Sequence, residues 1–262
     1  MPWSLAPRRV LPRLCLLALL AGLPHVAAPA TPPASCPDAG SLTPMALPGT
    51  LGALRAGKAL TIVAFGSSST EGAGASAPDA TYPARLEARL RAALPGVALR
   101  VLNRGRGGEE VREMLARLER DVVAEAPTLV IWQAGANAVL RGMPPETFRA
   151  AMATGLARLQ AAGADIVLMD NQRAPRIVNN PHHAAFEALM AGLAEDQQLP
   201  LFSRARLMRG WEAAGTPPGA FLVGDGLHHN DRGYDCIAAA LAESLAAALR
   251  LPAAMPALVA GR

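Results

Sequence analysis

From Leu60 onward, apolar positions follow two rhythms. Short apolar runs occur at Leu60–Phe65, Val97–Leu102, Thr128–Trp132 and Ile166–Met169, with a shorter one at Leu199–Phe202. Between and after them, apolar residues recur at three- and four-residue spacing near 82–94, 110–125, 145–162, 183–197 and 204–214, and from Asp231 to Leu249. The short runs predict strands and the longer periodic stretches predict amphipathic helices. Strands alternating with helices predict an α/β domain, with a parallel sheet of about five strands covered by helices on both faces. Such sheets bind ligands beyond the carboxyl ends of the strands, near the point where strand order reverses. The loops that follow the strands are therefore where chemistry is expected.

The chain before Leu60 reads differently. Arg8, Arg9 and Arg13 precede an apolar run from Leu14 to Leu23, and small residues follow as far as Ala28-Pro29-Ala30. That order is the signature of a secretory signal peptide over residues 1–30, with cleavage after Ala30. The apolar run is about half of the ~20 residues a membrane-spanning helix needs, so an uncleaved N-terminal anchor is the lesser alternative. Residues 31–58, opening on a Pro/Ala/Ser/Thr-rich stretch, are expected to form an extended leader. Residues 59–250 form the domain, and 251–262, with two prolines and no periodicity, a loose tail. The expected location is the periplasm or the medium.

Composition narrows the class. A chain of 262 residues with 51% hydrophobic and 18% charged residues accommodates one well-packed domain. Aromatics are only 4%, so the core must be built from Leu, Val, Ile and Ala, which suits helices on a parallel sheet. The formal charge of +4 falls to +1 when the three arginines of the signal segment leave. No Lys/Arg cluster interleaved with aromatics remains, which argues against a nucleic-acid partner. Of three cysteines, Cys15 lies in the apolar run, leaving Cys36 and Cys236. In an oxidising compartment this even pair is expected to form a disulfide, two unrelated thiols being the alternative.

Four loops carry candidate chemistry. After the first strand comes Gly66-Ser67-Ser68-Ser69-Thr70-Glu71-Gly72, where a serine beside glycine can be held exposed near free backbone N–H groups. After the second comes Asn103-Arg104-Gly105-Arg106-Gly107-Gly108-Glu109, whose glycines permit close backbone approach at the mouth of a helix. After the third, Gln133-Ala134-Gly135-Ala136-Asn137-Ala138 offers an asparagine amide. Before the last helix, Asp225-Gly226-Leu227-His228 places a carboxylate three residues before a histidine, a spacing that lets it bond Nδ1 and free Nε2 as a base. Each loop alone also reads as an ordinary turn or cap. Together they bring a nucleophile, a base with its orienting acid and two further donors to one edge of a sheet, which are the parts acyl transfer requires.

These blocks, in this order, resemble those of the SGNH (GDSL-like) hydrolases over about residues 59–249. The resemblance implies a flavodoxin-like three-layer α/β/α sandwich, esterase, lipase or deacetylase activity, and no cofactor. Carried over by position, Ser68 is the nucleophile, His228 the base and Asp225 its partner, with Ser68, Gly108 and Asn137 forming the oxyanion hole. The chain departs from the usual pattern twice. Ser67 stands where Gly-Asp-Ser has its aspartate, and Ala138 where Gly-x-Asn-Asp has its second one. Neither position belongs to the minimal machinery, but both bear on how the loops are oriented.

Other readings remain open at this point. The same triad serves an acyltransferase with an acceptor other than water. The Ser68 loop could instead cradle a phosphate in a non-catalytic flavodoxin-like domain. An α/β-hydrolase fits less well, since its Gly-x-Ser-x-Gly elbow would need glycine where Thr70 stands. No Cys/His spacing suggests a metal. The expected partner is a small-molecule, lipid or glycan ester. Arg173 and Arg176, in the loop 170–181 after the fourth strand, are candidates to hold it. Oligomeric state is not legible.

Overall fold

The computed structural model describes Met1, residues 35–38 and residues 45–250. The expected signal segment beyond Met1, most of the stretch before residue 45 and the tail 251–262 lie outside the described residues. Five strands form one parallel sheet: β1 (Leu60–Gly66), β2 (Leu99–Gly105), β3 (Leu129–Gln133), β4 (Asp165–Met169) and β5 (Leu201–Phe202), in the order β2-β1-β3-β4-β5. The chain steps from β1 to one side and then returns to pair β3 on the other. The β1–β3 boundary is therefore the switch point at which open α/β sheets bind ligands. Both central strands are buried along their whole length. The edge strand β2 is only partly covered.

The main helices are α3 (Tyr82–Ala93), α4 (Val111–Asp121), α6 (Pro145–Ala161), α8 (His183–Asp196), α9 (Arg204–Ala213) and α10 (Asp231–Leu249). Helix α3 packs on α10, and α4 on α6 and α6 on α8, giving the two helical layers that right-handed crossovers require. Each expected strand and helix is present; the last helix has its expected bounds, and the others have shifted ends. Strand β2 runs on through polar residues to Gly105, because its register with β1 continues to Gly66. Strand β5 begins only after Pro200, which has no N–H to give a ladder, though its carbonyl accepts from Leu168. The helix expected to reach 125 ends at Asp121, and a single 3₁₀ turn follows at Val123–Glu125.

One expectation needs correction. The extended leader to residue 58 contains a helix, α1 (Pro48–Arg55). Its N-terminus is anchored from a distance, the backbone N–H groups of Gly49 and Thr50 donating to the Asp165 carboxylate at 3.3 and 2.6 Å. A carboxylate there satisfies orphan donors and complements the helix dipole. Met45, Leu47 and Leu54 are buried with it. Three further helices, α2 (Ser68–Glu71), α5 (Ala136–Arg141) and α7 (Pro175–Val178), follow β1, β3 and β4 at the carboxyl edge. Each is too short to show a period in sequence. Cys36 and Cys236 are joined by a disulfide that ties the segment before α1 to α10.

Candidate active site

The four loops meet above the β1–β3 boundary. Ser68 opens α2, so its N–H has no earlier helical carbonyl to bond and its side chain stands at the strand end. Ser68 Oγ lies 2.8 Å from His228 Nε2. On the other side of the ring, His228 Nδ1 lies 2.6 Å from Asp225 Oδ2. The intervening turn explains this alignment. Gly226 adopts φ +66, a left-handed conformation that glycine takes without steric cost. The N–H groups of Leu227 and His228 can then both donate to Asp225 Oδ1, at 2.8 and 2.9 Å, leaving Oδ2 for the imidazole. Burial alone would raise the Asp225 carboxyl, but the hydrogen bonds from His228 and Leu227 outweigh it and hold the group below its ordinary value. It is therefore a carboxylate at neutral pH, able to fix the tautomer and balance an imidazolium.

The glycine loop after β2 comes against the nucleophile. A Cβ built on Gly107 would sit 4.0 Å from Ser68 Cβ. The next residue, Gly108, is left-handed at φ +76, just before α4. Asn137, in the first turn of α5, donates through Nδ2 to the Glu109 carbonyl at 2.8 Å. That bond links the loops after β2 and β3, and the second Nδ2 hydrogen stays free for another acceptor.

The two arginines of the loop after β4 are placed differently. Arg173 pairs with Glu212 of α9 at 3.6 Å. Arg176, exposed in α7, lies along the acid–base turn: its N–H donates to the Gly226 carbonyl at 3.1 Å. A groove of about 770 Å³ lies beside α2, lined by Glu71, Gly72, Pro78, Arg91, Val101 and Asn103 among others, and does not include Ser68 or His228.

Several residues that hold the site were not singled out from sequence. Arg117, 4% exposed, donates to the carbonyls of Gly66 at 3.2 Å and Arg104 at 2.9 Å, at the carboxyl ends of β1 and β2. It also pairs with Glu109 and Asp121, and its guanidinium lies 4.5 Å from the Phe65 ring centroid. A signal existed: Arg117 falls three residues after the buried Met114, on the apolar face of α4. Gln172 spans two more loops, donating to the Leu227 carbonyl at 2.9 Å and accepting from Ser69 at 3.5 Å. Gln133, a lone polar residue closing an apolar strand, contacts the nucleophile loop from below.

Residues 33–251 match the non-GDSL lipase-like family. The chain belongs to that family. Ser67 in place of the aspartate of Gly-Asp-Ser accords with this description. An arylesterase of Vibrio mimicus is 29% identical over 150 residues, 57% of this chain and 72% of that one. Among solved structures, the lipase/acylhydrolase of Enterococcus faecalis superposes with a TM-score of 0.64 at 23% identity, covering 74% of this chain and all of that one. A two-domain esterase active on acetylated mannans gives 0.67 at 23% identity, over 79% of this chain and 55% of its own. An acetylxylan esterase of Geobacillus stearothermophilus gives 0.60 at 20% identity, over 71% and 94%. At these identities the likeness is one of fold: the neighbours share the α/β fold of this chain.

Proposed function

We propose that this family member is a serine hydrolase of carboxylic esters acting through an acyl-enzyme on Ser68. The observation that carries the reading is the unbroken line from Asp225 Oδ2 to His228 to Ser68 Oγ, with contacts of 2.6 and 2.8 Å. His228 Nε2 takes the Ser68 proton as Oγ attacks the ester carbonyl. The negative charge that develops on the carbonyl oxygen is met by the backbone N–H groups of Ser68 and Gly108 and the free Nδ2 hydrogen of Asn137. His228 then protonates the departing alcohol. Water, deprotonated by the same imidazole, attacks the acyl-enzyme, and Ser68 leaves with its proton restored.

The phosphate-cradle alternative has less support. Helix α2 is a single turn whose first turn carries Glu71, and its serine is already engaged by an imidazole. The arylesterase relative and the neighbours active on acetylated mannan and xylan support small acyl esters as the substrate class, with Arg176 beside the acid–base turn helping to hold the alcohol or acyl portion. Export is part of this proposal. It is supported by the signal-like sequence of residues 1–30 and the Cys36–Cys236 disulfide, and no helix among the described residues is long and apolar enough to cross a membrane. The test is a fluorophosphonate label with p-nitrophenyl ester turnover. Ser68→Ala should lose both, while Ser67→Ala and Ser69→Ala keep the label. Labelling that survives Ser68→Ala would overturn the assignment.

A further inference from the structure

The aspartate usually found before the nucleophile is absent, and Gln133 occupies the space beneath that position. Gln133 is fully buried at the end of β3, in ladder register with Met169. Its Oε1 accepts three hydrogen bonds from the nucleophile loop: from the Ser67 N–H at 3.0 Å, the Ser67 hydroxyl at 3.2 Å and the Thr70 hydroxyl at 3.2 Å. These donors flank Ser68 on both sides. Ser67 occupies the N-cap position of α2, yet its hydroxyl makes no capping bond and turns to Gln133 instead. Gly66 completes the arrangement, because a Cβ there would run into the Thr70 hydroxyl and sit 2.7 Å from Gln133 Oε1.

We infer that Gln133 is a positioning residue for the nucleophile, matched to serine at position 67, and that this pair does the work usually given to an aspartate. The inference rests on the ester-hydrolase reading above. Its physical basis is the chemistry of one oxygen. Gln133 Oε1 can serve only donors, and Ser67 and Thr70 supply them. An aspartate at 67 would set a carboxylate, which is acceptor-only, against that same oxygen. Turning the Gln133 amide over to serve it would set an N–H₂ against the Ser67 backbone N–H. Serine at 67 and glutamine at 133 therefore suit one another, and the aspartate suits neither. With residues 67 and 70 fixed to a strand end, the Cα–Cβ direction of Ser68 is set against His228 before substrate arrives. Positioning of this kind acts on kcat, since displacements of about 1 Å cost on the order of 10²-fold in rate.

Three variants separate this role from mere packing. Gln133→Leu keeps the bulk and removes the acceptor; kcat on a p-nitrophenyl ester and the rate of fluorophosphonate labelling at Ser68 should both fall on the order of 10²-fold, with KM within about twofold. Gln133→Glu keeps an acceptor in place and should recover most of both rates. If Gln133→Leu does not fold, the Ser67→Ala/Thr70→Val double variant leaves Oε1 only the backbone donor and should lower both rates about 10-fold at unchanged KM. A folded Gln133→Leu protein, or the double variant in its place, that labels and turns over at the wild-type rate would overturn the inference while leaving the nucleophile assignment standing. Equal losses in Gln133→Leu and Gln133→Glu would also overturn it, since retention of an acceptor would then count for nothing. A wild-type protein that takes no label at Ser68 would overturn the functional reading itself.

Discussion

Two buried groups behind the site should oppose one another in acid, and single substitutions should unmask each. His229 is fully buried, with Nδ1 3.1 Å from the Phe221 carbonyl. Burial, aided by repulsion from Arg204, drops its pKa from 6.5 to about 3. The unfolded chain accepts this proton below pH 6.5 and the folded chain refuses it, so stability is lost as pH falls toward 3. At about 1.4 kcal/mol per pKa unit, the loss amounts to about 3 kcal/mol by pH ~4. Asp170 works in the opposite direction. Burial raises it from 3.8 to about 6, against the Ser203 hydroxyl, Arg204 and the Ala205 N–H, which favour the carboxylate. Below pH 6 the folded chain takes up a proton that the unfolded chain refuses until about 3.8, so stability is gained, by about 2 kcal/mol at pH ~4. Asp170→Asn keeps an oxygen for the Ala205 N–H and removes the titration. Between pH ~7 and ~4 it should lose about 2 kcal/mol more than wild type. His229→Asn keeps a donor for the Phe221 carbonyl and should lose about 3 kcal/mol less than wild type. Urea unfolding at several pH values, followed by tryptophan fluorescence with the disulfide intact, measures these differences, and groups common to all three proteins cancel. Equal pH slopes in the three would refute the reasoning.

Three further outcomes are expected. Asn137→Ala should lower kcat on the order of 10²–10³-fold with KM little changed, and near-normal kcat would leave Asn137 only its bond to the Glu109 carbonyl. Replacing Cys36 and Cys236 by serine should cost about 2–5 kcal/mol in denaturant unfolding, because the bond closes a loop across a sequence separation of 200, and non-reducing peptide maps of purified protein should show the linked pair. Arg176→Ala should change the ranking of kcat/KM across neutral and acidic esters, whereas Arg173→Ala, which breaks only the contact with Glu212, should leave that ranking unchanged; identical rankings in wild type and Arg176→Ala would remove Arg176 from the substrate side.

By itself the sequence determined the layers and the loops worth reading. Parallel strands buried on both faces must be apolar nearly throughout, and their covering helices must carry a stripe, so Leu60–Phe65, Thr128–Trp132 and the long helices announced themselves through composition and period. Ser68, Gly108, Asn137 and the Asp225–His228 pair stood out as candidates for a related reason: each lies just past a strand or just before a helix, where residue type and spacing are set by local chemistry. What only the tertiary structure decided depends on groups far apart in the chain. Helix α1 is too short to stand on its own period, and its N-terminus rests on Asp165, more than a hundred residues away. Arg117 reads as one polar residue on an amphipathic helix until the carbonyls of Gly66 and Arg104 meet it from two strand ends. Gln133 reads as the polar end of a strand until three donors from positions 67 and 70 converge on one oxygen. Local propensity is written in neighbouring residues. The partners of a buried polar group are chosen by the topology that brings β1 and β3 side by side, and no spacing along the chain records that choice.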